Sequence, residues 1–201
     1  MSPRPRRLPD SAILDAAVIV VGRMGPDRFT LADVGQEVGL SAATLVQRFG
    51  SKRNLLLAML EQTINLVEER FIAAVNANES PLDGIYAAAT DRAAEFEGPD
   101  SLSNRFAFVL LELSDPEFQA LAAETTRKAI AAYKQMIERA IAAGELSDGL
   151  FDPQHLAETI HAVTLGSMVM WAVLRDGSSR PRTKRDLDTL LRPFRRGPRR
   201  A

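Results

Sequence analysis

"VGLSAATLVQRFGSK", residues 38–52, is the stretch whose reading decides the fold. Four small residues, Ser41 to Thr44, follow Gly39-Leu40, and only then come Gln47, Arg48 and Lys52. A buried helix would carry bulk at its leading end, and a fully solvated one would carry charge. A bare leading end suits a helix whose backbone must approach another surface closely. Gly39 supplies a left-handed turn at low steric cost, and Ser41 is a good N-cap, so 42–49 is predicted as a short helix. Thr30 starts another over 31–38, and the pair has helix-turn-helix dimensions. Leu31, Val34, Val38, Leu40, Leu45 and Phe49 are spaced to form its inner side, with Ile13, Ala17 and Val21 from a preceding helix. In such a unit the second helix enters the major groove of DNA by its N-terminal end. Ala42 and Ala43 would then let the backbone come close, while Ser41 and Thr44 donate to phosphates or base edges. Gln47 and Arg48 would reach across, and Lys52 would meet a phosphate.

Working outward, the apolar pattern is helical nearly throughout, with no useful alternating strand run. Ser80-Pro81, Asp115-Pro116 and Asp152-Pro153 each set a capping side chain before a proline at a first helical position. The expectation is an all-α chain of about nine helices, over 11–23, 31–38, 42–49, 52–77, 81–96, 101–113, 116–143, 153–175 and 184–193. Helix eight is apolar around almost its whole circumference, from Leu156 through Trp171 to Leu174. Such a helix must be covered on more than one side, by its own domain and by either a second copy or the rest of a monomeric bundle.

The chain has 201 residues and no cysteine, which excludes disulfides and thiolate metal sites and agrees with a reducing cytoplasm. The opening MSPRPRRLPDSAILDAAVIVV reads as a basic arm and a first helix rather than a leader, because Pro9, Asp10 and Asp15 interrupt it. The longest uncharged run, 159–174, holds His161, Thr164 and Ser167 and is short for a membrane span. Net charge is −1, but the layout is uneven: residues 1–53 hold 8 Lys/Arg against 5 Asp/Glu, 54–175 hold 8 against 18, and 176–201 hold 9 against 3. A basic head on an acidic body suggests a polyanion partner for the head.

The stretch "ILDAAVIVVGRMGPDRFTLADVGQEVGLSAATLVQRFGSKRNLLLAML", residues 13–60, resembles the DNA-binding domain of TetR-family transcriptional regulators. The matching features run from Ile13-Leu14-Asp15-Ala16-Ala17 through the Gly25 turn, Thr30 before "LADV", and Val38-Gly39-Leu40-Ser41 to Phe49-Gly50-Ser51-Lys52. The stretch 140–174 is similar to the part entering that family's eighth helix. The resemblance implies a three-helix DNA-binding domain (1–53), a larger helical effector-binding and dimerisation domain (54–194) and a basic flexible tail (195–201). It implies a homodimer reading a near-palindromic double-stranded operator as a repressor, released by a small-molecule effector, in the cytoplasm, with no cofactor, no metal and no membrane partner. Thr30 and Val46 join Ser41, Ala42, Ala43, Thr44, Gln47, Arg48 and Lys52 as expected DNA contacts. Two departures stand out: Val46 and Arg48 replace the family's usual Tyr and His, and the last helix is short.

For the effector pocket the candidates are Phe71, Tyr86, Asn104, Phe108, Glu112, Tyr133, Met136, His161, Thr164, Met168 and Trp171, an apolar set with a few polar anchors. His155 and His161 point about 120° apart on one helix, which speaks against a shared metal. Two other classes compete: a helical enzyme and a helical protein-interaction module. The enzyme reading meets no cysteine, no paired histidines, no Gly-rich phosphate loop and no nucleophile–base pair close in sequence, so no catalytic residue is named.

Overall fold

The computed structural model describes residues 8–94 and 99–196. Among the described residues the chain forms nine α-helices: α1 (Asp10–Met24), α2 (Leu31–Val38), α3 (Ala42–Phe49), α4 (Lys52–Asn76), α5 (Pro81–Ala94), α6 (Pro99–Ser114), α7 (Pro116–Ala142), α8 (Pro153–Leu174) and α9 (Ser179–Leu191). A short 3-10 turn, Arg192–Phe194, follows. The all-α expectation holds. The arm's Arg4, Arg6 and Arg7 and the last residues of the basic tail lie outside the described residues.

Packing does not divide the chain where its charge changes. One compact unit takes residues 1–63 together with 103–122, and the other takes 64–102 and 123–201. The first unit therefore runs past residue 53 and recruits most of α6 and the start of α7. Its core explains why: Phe108 and Phe118, both about 1% exposed, pack in the same cluster as Ile13, Ala17, Val20, Phe29, Val34, Leu45 and Leu55. Their rings meet edge to face with centroids 6.1 Å apart. Each such ring contributes on the order of 1.5–3 kcal/mol by leaving water.

Local chemistry sets the ends of α2 and α3. Thr30 and Asp33 form a capping box: the Asp33 backbone N–H donates to the Thr30 hydroxyl at 3.3 Å, and the Thr30 N–H donates to the Asp33 carboxylate at 2.7 Å. Gly39 closes α2 in the left-handed region at φ 69°, where glycine avoids the Cβ clash that other residues meet. Gly35 is constrained differently. A Cβ built there would stand 2.4 Å from the Leu40 carbonyl oxygen, so backbone crosses backbone at that point.

In the second unit α9 packs on α5 and α8. The core there gathers Ile85, Tyr86, Tyr133, Met136, Ile137, Leu156, Ile160, Leu187 and Leu191. The last helix begins five residues earlier than the sequence suggests. Pro181 falls in its first turn, where a missing N–H costs nothing, and the Ser179 hydroxyl donates to the Ala93 carbonyl at 2.8 Å. After α9, the Ser147 N–H donates to the Phe194 carbonyl and the Arg196 N–H to the Glu145 carbonyl, so residues 194–196 are held against the α7–α8 connection.

The helix α8 is long and apolar enough to cross a bilayer, with 39% of its most apolar 18 residues buried. Leu156, Ala157, Ile160, Thr164, Ser167, Met168 and Trp171 face inward, while Leu165, Met170, Val173 and Leu174 are exposed.

Two glycine substitutions should move stability in opposite directions. Gly22→Ala, where an added Cβ meets nothing within 4 Å, is expected to stabilise α1 by about 0.5–1 kcal/mol. Gly35→Ala is expected to cost about 1–3 kcal/mol. Thermal melts of the two variants against the parent chain check both signs.

Candidate nucleic-acid interface

The helix α3 is eight residues long, and its orientation rests on Leu45, which is fully buried in the head's core. With Leu45 inward, Ser41, Ala43, Val46 and Gln47 are exposed, and Ala42 and Thr44 are partly so. This outer face carries no bulk at its leading end and no charge until Arg48.

The cap of α3 leaves one donor spare. The Ser41 hydroxyl accepts from the Thr44 N–H at 3.2 Å and shares a hydrogen bond with the Thr44 hydroxyl at 2.9 Å. Two hydroxyls hold two O–H donors, and one bond between them uses only one. The other O–H is available to a phosphate or base edge at the helix's positive N-terminal end. Thr30 is differently engaged: its hydroxyl donates to the Asp33 carboxylate at 2.7 Å. Hydrogen bonds from the Thr30 side chain, and then from its backbone N–H, hold the Asp33 carboxyl below the usual carboxylate range.

Two cations expected to reach DNA have protein partners. The Arg48 guanidinium, with its side chain only 9% exposed, pairs with Asp10 at 3.1 Å and donates to the Leu8 carbonyl at 2.5 Å. It turns back from the helix's outer face towards the start of α1. The Lys52 ammonium donates to the carbonyls of Asp27 and Phe29 at 2.9 and 2.7 Å and sits 4.4 Å from the centre of the Phe29 ring. An ammonium has three N–H donors, so one remains. Lys52 thus buttresses the α1–α2 connection and has one N–H beyond those two carbonyl bonds.

Residues the sequence reading missed complete this frame. The Asn104 amide donates to the carbonyls of Gly22 and Arg23, both at 2.9 Å, and so satisfies the end of α1. Arg53 joins Asp115 at 2.8 Å and Glu117 at 2.7 Å. Those hydrogen bonds hold the Asp115 carboxyl below its ordinary range and raise Arg53. No local periodicity marks either contact; both join residues more than 60 positions apart.

The residues expected for the effector pocket fall in both compact units. Asn104, Phe108 and Glu112 belong to the first compact unit. There Asn104 closes α1, Phe108 fills the core, and the buried Glu112 pairs with Arg105 at 2.9 Å. The other eight lie in the second unit. Phe71 and Tyr133 stack edge to face at 4.7 Å. The buried Tyr133 hydroxyl bonds to Thr164, whose own hydroxyl donates to the Ile160 carbonyl at 2.8 Å. Tyr86 meets Asp188 and Arg195, while Trp171 donates to the Gly177 carbonyl at 3.2 Å. Burial, then the nearby Arg92 charge, lowers the His161 pKa, favouring a neutral imidazole.

Burial pushes the Tyr133 pKa up to about 12. A raised folded-state value means that this share of stability is complete below pH 10, the unfolded value, and is lost as pH climbs towards about 12. Ultraviolet titration of tyrosinate should therefore place the Tyr133 step above pH 10. A step at pH 10 that vanishes in Tyr133→Phe would contradict the buried assignment.

The sequence profile of the bacterial regulatory proteins of the tetR family matches residues 13–59, which span α1 to the first part of α4. The chain is 29% identical over 99 residues to the HTH-type transcriptional regulator BetI of Rhizobium meliloti (strain 1021), a match covering 48% of each chain. It thus spans about half the length of that curated relative. Among solved structures, a transcriptional regulator from Saccharomonospora viridis in complex with choline superposes with a TM-score of 0.71 at 20% identity, covering 91% of this chain and 95% of that one. The regulator FadR of Bacillus subtilis, in complex with stearoyl-CoA, gives 0.69 at 16% identity, covering 90% and 97%. At such identities the structures establish the fold alone. Residues 13–59, the helix-turn-helix part of the chain, thus match the bacterial regulatory proteins of the tetR family.

Proposed function

We propose that this protein is a ligand-responsive transcription regulator, a repressor that binds a near-palindromic operator as a homodimer and leaves it when a small molecule occupies the second unit. The observation that carries the reading is the outer face of α3. It is uncharged and small at its leading end, with one spare hydroxyl donor, directly after the left-handed turn at Gly39. Ser41, Ala42, Ala43 and Thr44 are assigned to the closest approach, and Val46 and Gln47 to the base edges. Val46 is suited to a thymine methyl, and Gln47 to an adenine edge. Thr30 and Lys52 support the unit from outside α3, Lys52 with its third N–H on a phosphate. On this reading the chain is a binding protein rather than an enzyme and acts in the cytoplasm with its DNA.

The second copy is proposed to dock on α8. Leu165, Met170, Val173 and Leu174 leave a band of apolar surface, 72% exposed at Val173, with Ala162 and Gly166 exposed beside it. Small residues at that spacing let two such helices approach closely, and a two-fold pairing covers the same face on both copies. The effector is assigned to the Phe71, Tyr133, His161 and Thr164 region, where a neutral imidazole and hydroxyls are set among apolar walls. Solved neighbours crystallised with choline and with stearoyl-CoA give precedent for small-molecule binding by this fold. A differential affinity of about 1–3 kcal/mol between two settings of the dimer would change DNA affinity roughly 5–150-fold.

Two experiments test this reading. Gel shift with the DNA upstream of the protein's own gene should give a sequence-specific complex, weakened at least tenfold by Gln47→Ala in a chain that still folds. Absence of any shift at low salt would refute DNA binding. Sedimentation should show a dimer that Val173→Glu converts to monomer, because a two-fold axis sets the new charge against its own copy, at a cost of several kcal/mol.

A further inference from the structure

In the major groove each base is told apart by the side chain set against it. Arginine or lysine suits the two acceptors of guanine, and aspartate or glutamate the amino group of cytosine. Asparagine or glutamine suits adenine, and an apolar group suits the thymine methyl. The eight residues of α3 include no carboxylate and one cation, Arg48. Fully buried Leu45 fixes the rotation of the helix, and each residue is turned about 100° from the last. Arg48 therefore stands only about 60° from the inward direction. From there it reaches Asp10 at 3.1 Å and the Leu8 carbonyl at 2.5 Å, with 9% of its side chain exposed. The one group of α3 suited to guanine is committed to the protein.

Opposite Leu45 stand Ala43 and Gln47, each within about 20° of straight outward. Four residues apart, they form one ridge, with the Ala43 methyl about 6 Å nearer the leading end. So short a residue ahead of Gln47 lets its longer side chain reach the floor of a groove. Val46, 49% exposed, lies beside that ridge on the flank it shares with Ala42. Gln47 is exposed, and no described residue bonds its amide. A carboxamide matches the adenine edge atom for atom: its oxygen accepts from the N6 amino group while its N–H donates to N7. The two Val46 methyls can neither donate nor accept, so the base feature they fit is the 5-methyl group of thymine.

We propose that the base pairs under α3 in each operator half-site are A·T, with Gln47 selecting an adenine and Val46 a thymine through its methyl group. The proposal rests on the DNA-binding reading above and names the class of sequence that the same face selects. Guanine fits Gln47 poorly, because the amide oxygen that accepts from the adenine amino group meets a second acceptor, O6, in its place. Cytosine lacks the methyl that Val46 covers. The tie of Arg48 to Asp10 and Leu8 thus shapes specificity as well as stability, since it withdraws the guanine reader from the helix.

The test uses the full chain. Duplexes with a randomised central segment are selected on the parent, Val46→Ala, Gln47→Ala and Gln47→Arg, and the bound DNA is sequenced. The parent should enrich two related half-sites, each with an adenine that Gln47→Ala no longer selects and that Gln47→Arg changes to guanine. On the parent's selected duplex, Gln47→Ala should bind about 5–150-fold more weakly, the range of one bidentate contact. Replacing that adenine by 7-deazaadenine, which lacks only the N7 acceptor, should weaken the parent and leave Gln47→Ala unchanged. Uracil in place of thymine, which removes only the methyl, should cost the parent about fourfold per contact and leave Val46→Ala unchanged. Both side chains are exposed, thermal melts verify that each variant folds, and the base analogues probe the unaltered parent. Guanine or cytosine selected by the parent at the position that the Gln47 variants alter overturns this inference and leaves DNA binding intact. Binding without enrichment, or enrichment that neither Val46 nor Gln47 changes, does the same. No binding by the parent at low salt overturns both readings.

Discussion

The backbone crossing at Gly35 and Leu40 is the constraint on which the head depends. The Leu40 N–H donates to the Gly35 carbonyl at 2.8 Å, and the Leu40 carbonyl fills the space that a side chain on residue 35 would need. That contact, with the left-handed Gly39 between, sets the angle at which α3 leaves α2. Once the angle is set, Leu45 must enter the core, and the opposite side of α3 must face outward. The capping box of α2 and the Ser41 cap of α3 satisfy the helix ends locally, so this short unit does not need long helices for its stability. Its remaining support comes from side chains far away in sequence: Asn104 at the end of α1, and Arg53 bridging to Asp115 and Glu117.

Counting charge by segment overstates what the head can offer a polyanion. A lysine or arginine beside a carboxylate or an open carbonyl oxygen at close range is drawn to it, since a charge-assisted hydrogen bond is roughly twice as strong as a neutral one. Arg48 and Lys52 illustrate this. Both stand where a DNA contact is expected, and both have turned to bind the protein's own backbone. Their service is to hold Leu8, Asp27 and Phe29 in place, and so to fix the geometry of the surface that others present.

In the second unit a similar economy applies to polar groups. Tyr133, Thr164 and Ser167 are buried among apolar side chains, and each is satisfied: Tyr133 by Thr164, Thr164 by the Ile160 carbonyl, and Ser167 by Asp186 at 2.8 Å. Unsatisfied, each would cost about 1–3 kcal/mol. Such groups keep an interior specific without opening it to water. The helix α8 combines this with an exposed apolar side, so the same element serves an interior and a surface.

How much was legible in the sequence follows from the range of the forces involved. Caps, left-handed glycines, prolines in first turns and the 3.6-residue apolar period act over a few residues, so the helices, the helix-turn-helix and the double-sided α8 were all written locally in "TLADVGQEVGLSAATL" and its counterparts. The segment of α6 and α7 that joins the head could not be read this way. Phe108 and Phe118 look the same in sequence whether they fill that core or line a pocket elsewhere, and only the arrival of residues about 100 positions away decides. The direction of Arg48 was equally hidden, because a long flexible cation takes whichever oxygen the fold brings near. Sequence by itself determined the elements and the small outer face of α3, while tertiary structure alone decided which side chains were left free to use it, because partners distant along the chain meet only after the backbone has closed on itself.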